Sequence, residues 1–183
     1  MSEIYLVNHR PPSHEPFKSI MRLPKAEAFT LAAKLNEDTT CSATYRFGKD
    51  FANYYADRIR AEEWLYSNFT ALGGKPQTKH PLYFYVNSCE VADDAWPAEF
   101  RLTEKILLAS IDSCDITFIF GDSCERLDKP DRLPLFMKDE LTALIATHGS
   151  IENLQKYVKQ QIGYDMIEAH LWSDKYNLEE MTI

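Results

Sequence analysis

Apolar positions recur at helical spacing along one long stretch of this chain, residues 51–72. With Phe51 at zero and roughly 100° per residue, Tyr54, Tyr55, Ile59, Leu65, Tyr66, Phe69 and Leu72 fall on one broad face. Asn53, Asp57, Arg60, Glu63, Ser67 and Asn68 fall on the opposite one. The pattern predicts a core-facing helix with Asp50 as N-cap. Gly73-Gly74 closes it, because glycine accepts the left-handed backbone that ends a helix, and Pro76 cannot continue one. Arg58 and Glu62 interrupt the apolar stripe at its centre, four residues apart and so within reach of each other. Two readings fit them: an ion pair tying the helix to a neighbouring loop, or the floor of a cleft where Arg58 holds an anion or orients a carboxylate. Trp64 is the converse anomaly, an aromatic on the polar face, either covered by another segment or part of a contact surface.

The rest of the chain alternates between two periods. Ile4 to His9 reads as a strand, with Ile4, Leu6 and Asn8 on one face and Tyr5, Val7 and His9 on the other. The proline-rich run Arg10 to Pro16 stops it, and Pro24 opens a helix that Ala26, Phe29 and Ala33 carry to about Leu35. Ala43 to Phe47 reads as a short strand, Leu82 to Val86 as another entered through His80-Pro81, and residues 87–97 as an acidic loop. Glu99 to Leu102 is a short strand, and Leu107 to Ile111 either more strand or a helical turn. Ile116 to Phe120 is a continuous apolar run rich in β-formers, as a buried strand requires. Leu127 to Pro134 is a loop. Two helices follow, Met137 to Thr147 ending at Gly149, then Ile151, Leu154, Val158 and Ile162 between a Ser150 N-cap and Gly163. Met166 to Trp172 is the last strand, with Glu168, His170 and Trp172 sharing a face. The sum is a single α+β domain over residues 1–183, with a mixed or mostly antiparallel sheet of about five or six strands and about four helices.

Composition narrows the class. The chain has 183 residues, 45% hydrophobic and 13% aromatic, enough for a full core and too apolar for general disorder. With no run of about 18 apolar residues and no basic-plus-apolar leader, the expectation is a cytoplasmic protein without a membrane partner. Cys41, Cys89, Cys114 and Cys124 form no C-x-x-C pair, so they are expected to be free thiols and no metal site is predicted. The net charge of −8 argues against broad nucleic-acid binding, but it is uneven. Residues 1–80 hold 11 Lys/Arg and 9 Asp/Glu, residues 81–183 hold 9 and 19. A basic face from Arg10, Lys18, Arg22, Lys25, Lys75 and Lys79 is one reading of the first half; an ordinary solvated surface is the other.

No phosphate-binding loop, dinucleotide fingerprint, nucleophile elbow or H-E-x-x-H pattern occurs. Chemistry must then come from strand faces and strand ends. Glu168 and His170 lie two apart on one face, where a carboxylate beside an aromatic suits proton removal or stabilisation of a developing cation, and where half-exposed strands also place such residues for no chemical reason. His9 and Arg10 close the first strand, a position suited to phosphate or carboxylate recognition or to simple capping. His80 precedes a proline. Asp112, Asp115 and Asp122 would attract a divalent ion only if brought together. Cys124 has no base beside it.

The order of these elements resembles the ADP-ribosyltransferase-like fold, particularly its small bacterial DarT-like DNA-modifying branch. The residues that carry the resemblance are Leu6-Val7-Asn8-His9-Arg10, then Phe17-Lys18-Ser19-Ile20-Met21, then Pro81-Leu82-Tyr83-Phe84-Tyr85, and late in the chain Ile167-Glu168-Ala169-His170-Leu171. The resemblance implies NAD as cofactor, His9 or Arg10 on its ribose or pyrophosphate, Tyr54, Tyr55 or Tyr83 stacked on nicotinamide, and Glu168 as the catalytic carboxylate. Arg58, Glu62, His170 and Asp122 complete the candidate set. The family's serine-threonine-serine or aromatic strand motif is not recognisable here. The expected function is therefore NAD-dependent transfer to a nucleic acid or protein. The alternatives are a non-catalytic binding or regulatory protein, immunity-like or nucleotide-binding, with a small-molecule or protein partner, and a hydrolase built on Glu168, His170 and Asp122.

Overall fold

The computed structural model describes residues 3–12, 14–37, 46–125 and 127–176. Its strands are β1 (Tyr5–Arg10), β2 (Leu82–Val86), β3 (Leu102–Leu107), β4 (Ile116–Phe120), β5 (Phe136–Met137) and β6 (Ile167–Leu171). They form one sheet in the order β3-β1-β2-β6-β4-β5, and every neighbouring pair is antiparallel. The helices are α1 (Lys25–Leu35), α2 (Phe51–Ala71), α3 (Glu90–Ala95), α4 (Lys138–His148) and α5 (Ile151–Ile162). This is the α+β architecture that the pattern predicts.

Strand alternation sorts the sheet into two faces. Leu82, Phe84, Val86, Ile116, Phe118, Ile167, Ala169 and Leu171 meet Leu141, Ile145, Leu154 and Val158 of α4 and α5 in the main core. The opposite face carries Tyr83, Thr117, Ile119, Glu168 and His170, and α2 covers it with Leu65 and Phe69. β6 lies between β2 and β4 and is buried at all five positions. Its polar residues therefore sit inside the molecule. No described helix is long and apolar enough to cross a membrane.

Helix ends follow local chemistry where that chemistry is local. α2 closes with paired bonds from Gly74 N to Phe69 O and from Gly73 N to Thr70 O, and Gly73 has φ +90°. Gly74 has a further reason to be glycine: a Cβ there would lie 2.1 Å from the Phe69 ring. Ser150 caps α5 through Asn153 N, and Gly163 ends it at φ +90°. Asp50 departs from expectation, since its side chain caps nothing; the chain enters α2 through a backbone turn, Phe51 N to Gly48 O.

Other corrections concern elements held from a distance. The acidic segment expected as loop contains α3, whose first amide, Glu90 N, donates to both oxygens of Asp165 at 3.1 Å. The strand expected at Glu99–Leu102 is a 3-10 turn over Ala98–Phe100 opened by Pro97, and β3 begins where that strand was expected to end. Met137 belongs to β5, paired with Thr117, and α4 starts one residue later. Arg46 and Phe47 lie in a 3-10 turn, and the remainder of the expected Ala43–Phe47 strand, like Cys41, lies outside the described residues. Tyr66 and Leu72, counted on the core face of α2, are exposed. Trp64 is half-buried, with the Arg132 guanidinium 3.5 Å from its ring centroid.

Candidate functional site

Between α2 and the sheet lies a buried polar cluster. Glu62, 1% exposed, pairs with Arg58 Nε at 3.3 Å, accepts the Tyr83 hydroxyl at 3.1 Å and meets His80 Nδ1 at 2.5 Å. The Arg58 guanidinium lies flat on Tyr83, 3.4 Å from the ring centroid. Burial works against the Arg58 charge, but Tyr83, Tyr54, Glu168 and Glu62 around it more than offset that and stabilise the cation. Burial also pushes the Tyr83 phenol well up.

A second chain of bonds runs across the strands. Trp172 Nε1 is a donor only, and it lies 3.3 Å from Thr117 Oγ1. Thr117 Oγ1 also lies 3.3 Å from His170 Nδ1, and His170 Nε2 points its proton at the acceptor Glu168 Oε1 at 2.6 Å. Glu168 Oε1 also receives Ser123 N at 3.4 Å. Burial raises the Glu168 carboxyl, yet His170, Arg58 and the Ser123 amide together hold it below the ordinary range. It is an ionised carboxylate inside the protein. Ser123 Oγ, fully buried beside it, has no hydrogen-bond partner among the described residues.

A cavity of about 380 Å³ opens next to this cluster. Tyr54 of α2, Tyr85 of β2, Trp96 after α3 and Tyr164 before β6 wall it, with Met166, Val91 and Ala95 between them. Asp122 and Glu125 from the turn after β4 complete the wall, and exposed Arg46 stands at its rim. Gly121 has φ +84° and lets that turn close against Tyr164, whose hydroxyl would lie 2.8 Å from any Cβ there. Asp122 Oδ1 accepts Cys124 N and Glu125 N at 2.7 and 2.9 Å, and burial together with Glu168 raises its carboxyl.

No family model, curated protein or solved structure matches the chain. The reading of the site therefore rests on its geometry.

That geometry unites part of the candidate set. Arg58, Glu62, Tyr83, Glu168 and His170 form the buried cluster, and Tyr54 and Asp122 join it to the cavity. Tyr55 turns away to pack on Phe29 and Phe51 at the α1–α2 contact. Arg10 is engaged on the far side of the sheet by His14 O at 2.6 Å and Glu104 at 2.8 Å. His9 binds Thr103 at 2.9 Å, two strands from β6. The aspartates do not gather: Asp112 and Asp115 both pair with Lys175, at 2.6 and 2.7 Å, while Asp122 faces the cavity. No cluster of potential metal ligands occurs among the described residues. Sequence reasoning missed Tyr85, Trp96 and Tyr164. Tyr85 stands two residues from Tyr83 on the same strand face, and that was the available signal.

His9 has a consequence of its own. Its ring is 6% exposed, Nε2 lacks a partner among the described residues, and burial followed by the nearby Arg101 charge lowers it to about 4. In the unfolded chain a histidine titrates near 6.5, so between about 6.5 and 4 the unfolded state binds more protons and stability drops as pH is lowered. The His9 contribution is fully present above that window and lost below it. Denaturant midpoints at roughly pH 7 and pH 5 are expected to differ less in His9→Gln than in the parent. An equal difference in both proteins would remove His9 as the cause.

Proposed function

We propose that this chain is a non-catalytic binding module that takes a small ring-bearing molecule of nucleoside size into the aromatic cavity. One observation carries the reading: four aromatic side chains from α2, β2 and the segments flanking α3 and β6 converge on a cavity of about 380 Å³, with polar groups at one wall and an arginine at the rim. Aromatic faces stack on flat rings, and Arg46 is placed to meet a phosphate or carboxylate outside. The interior carboxylate is already engaged with His170 and Ser123 and is 7% exposed, which favours holding a ligand over attacking one.

Calorimetric titration with adenosine, guanosine, their monophosphates and NAD tests this reading. Saturable binding of at least one of them is expected, weakened at least tenfold by Trp96→Ala. No binding at millimolar concentration by any member overturns it. NAD-dependent transfer is the second reading, favoured by the ionised state of Glu168. Its test is nicotinamide release in the same solutions. Release that Glu168→Gln abolishes, with folding retained, would replace the binding reading by the transferase one.

A further inference from the structure

Charge around the cavity is unbalanced. Asp122 lines it and Glu168 and Glu62 lie behind, while among the described residues Arg58 is shared among them and half-buried Arg132 reaches Glu168 from beside Ser123. Glu125 adds a carboxylate at the wall, offset by Lys129 at 3.5 Å. The aromatic wall already accommodates a cation, for the Arg46 guanidinium lies 5.9 Å from the Trp96 centroid.

We propose that the ligand of this cavity carries a fixed positive charge on its ring, as an N-alkylated nucleobase does, held between the aromatic walls and facing Asp122. This rests on the binding reading given above and narrows its ligand class. Three parts of the structure agree on it. Aromatic faces attract a delocalised cation more strongly than a neutral ring, and the more so where water is excluded. Asp122 is fixed in place, because Oδ1 is held by two backbone amides. Its carboxyl is raised by burial and by Glu168, the response of a carboxylate that lacks a full positive partner, and a bound cation supplies one. A neutral base would leave that imbalance unrelieved.

The experiment compares 7-methylguanosine with guanosine and 1-methyladenosine with adenosine by calorimetry on the intact chain. Each methylated, cationic member is expected to bind about tenfold or more tightly than its neutral parent. Asp122→Asn keeps an acceptor for both backbone amides and is expected to weaken the methylated members far more than their neutral parents, removing most of that preference. Equal affinity for cationic and neutral members overturns the cation inference and leaves the binding reading standing. Absence of binding by all four, together with failure of the nucleotides above, overturns both.

Discussion

Glu62→Ala is expected to destabilise the fold by about 3–5 kcal/mol, because it strips the carboxylate from a buried ion pair and leaves three buried partners without it. Glu62 is 1% exposed and serves Arg58, Tyr83 and His80 together. Its loss leaves a guanidinium that is 8% exposed without its paired carboxylate, with Glu168 as the remaining negative charge acting on it. Arg58→Met is expected to be milder, since His80 and Tyr83 still meet Glu62 and His170 still meets Glu168. The double variant Arg58→Met with Glu62→Leu should recover much of the loss, as apolar replacement of buried pairs commonly does. Urea unfolding of the three variants measures each term. A single-variant loss below about 1 kcal/mol, or a double-variant loss equal to the sum, would show that the pair is solvated and not a buried unit.

That pair was visible in the sequence because helical periodicity is a local property. The angular count placed Arg58 and Glu62 inside the apolar stripe, and both are buried there. The same count failed at Tyr66 and Leu72, because burial depends on what covers a face as well as on where the face points. Period-two alternation likewise placed Glu168 and His170 on one face of β6, and the register against Tyr85, Tyr83, Thr117 and Ile119 bears this out; Trp172, one residue past the strand, packs with Leu65 and Phe69 over that face. Glycine and serine at the ends of α2 and α5 act within a few residues and were legible for that reason.

What escaped was held by distant partners. The amide that opens α3 is satisfied by Asp165, 75 residues away, and nothing near Glu90 announces it. β5 exists through its pairing with Thr117 and Phe118, too short to show any period of its own. The cavity is the largest case. Its walls come from five separated stretches, and only their convergence distinguishes Trp96 or Tyr164 from any other loop aromatic. Strand order decides the rest: β1 lies two places from β6, so His9 and Arg10 stand apart from Glu168 although all three were natural partners in a linear reading.

Trp172→Ala should also cost about 3–5 kcal/mol, the usual range for deleting a fully buried aromatic. The indole is 0% exposed, stacks on Phe69 at 5.4 Å and takes an edge contact from Tyr66 at 5.8 Å. Its backbone carbonyl receives Gln77 N and Thr78 N, so the segment that follows α2 is pinned to the same residue. Trp172→Phe separates packing from polarity: the ring stack survives, but the indole N–H that donates to the Thr117 hydroxyl is gone. Its loss of stability should be clearly smaller than that of the alanine variant. The imidazole nitrogens of His170 should nonetheless report a change, because the Thr117 hydroxyl beside Nδ1 loses its indole donor and can re-orient, while Glu168 still holds the proton on Nε2. Nitrogen chemical shifts of a labelled His170 measure this directly. Unchanged shifts in the phenylalanine variant would mean that the Thr117 hydroxyl has no effect on the imidazole. The cross-strand chain would then matter to the site only as packing.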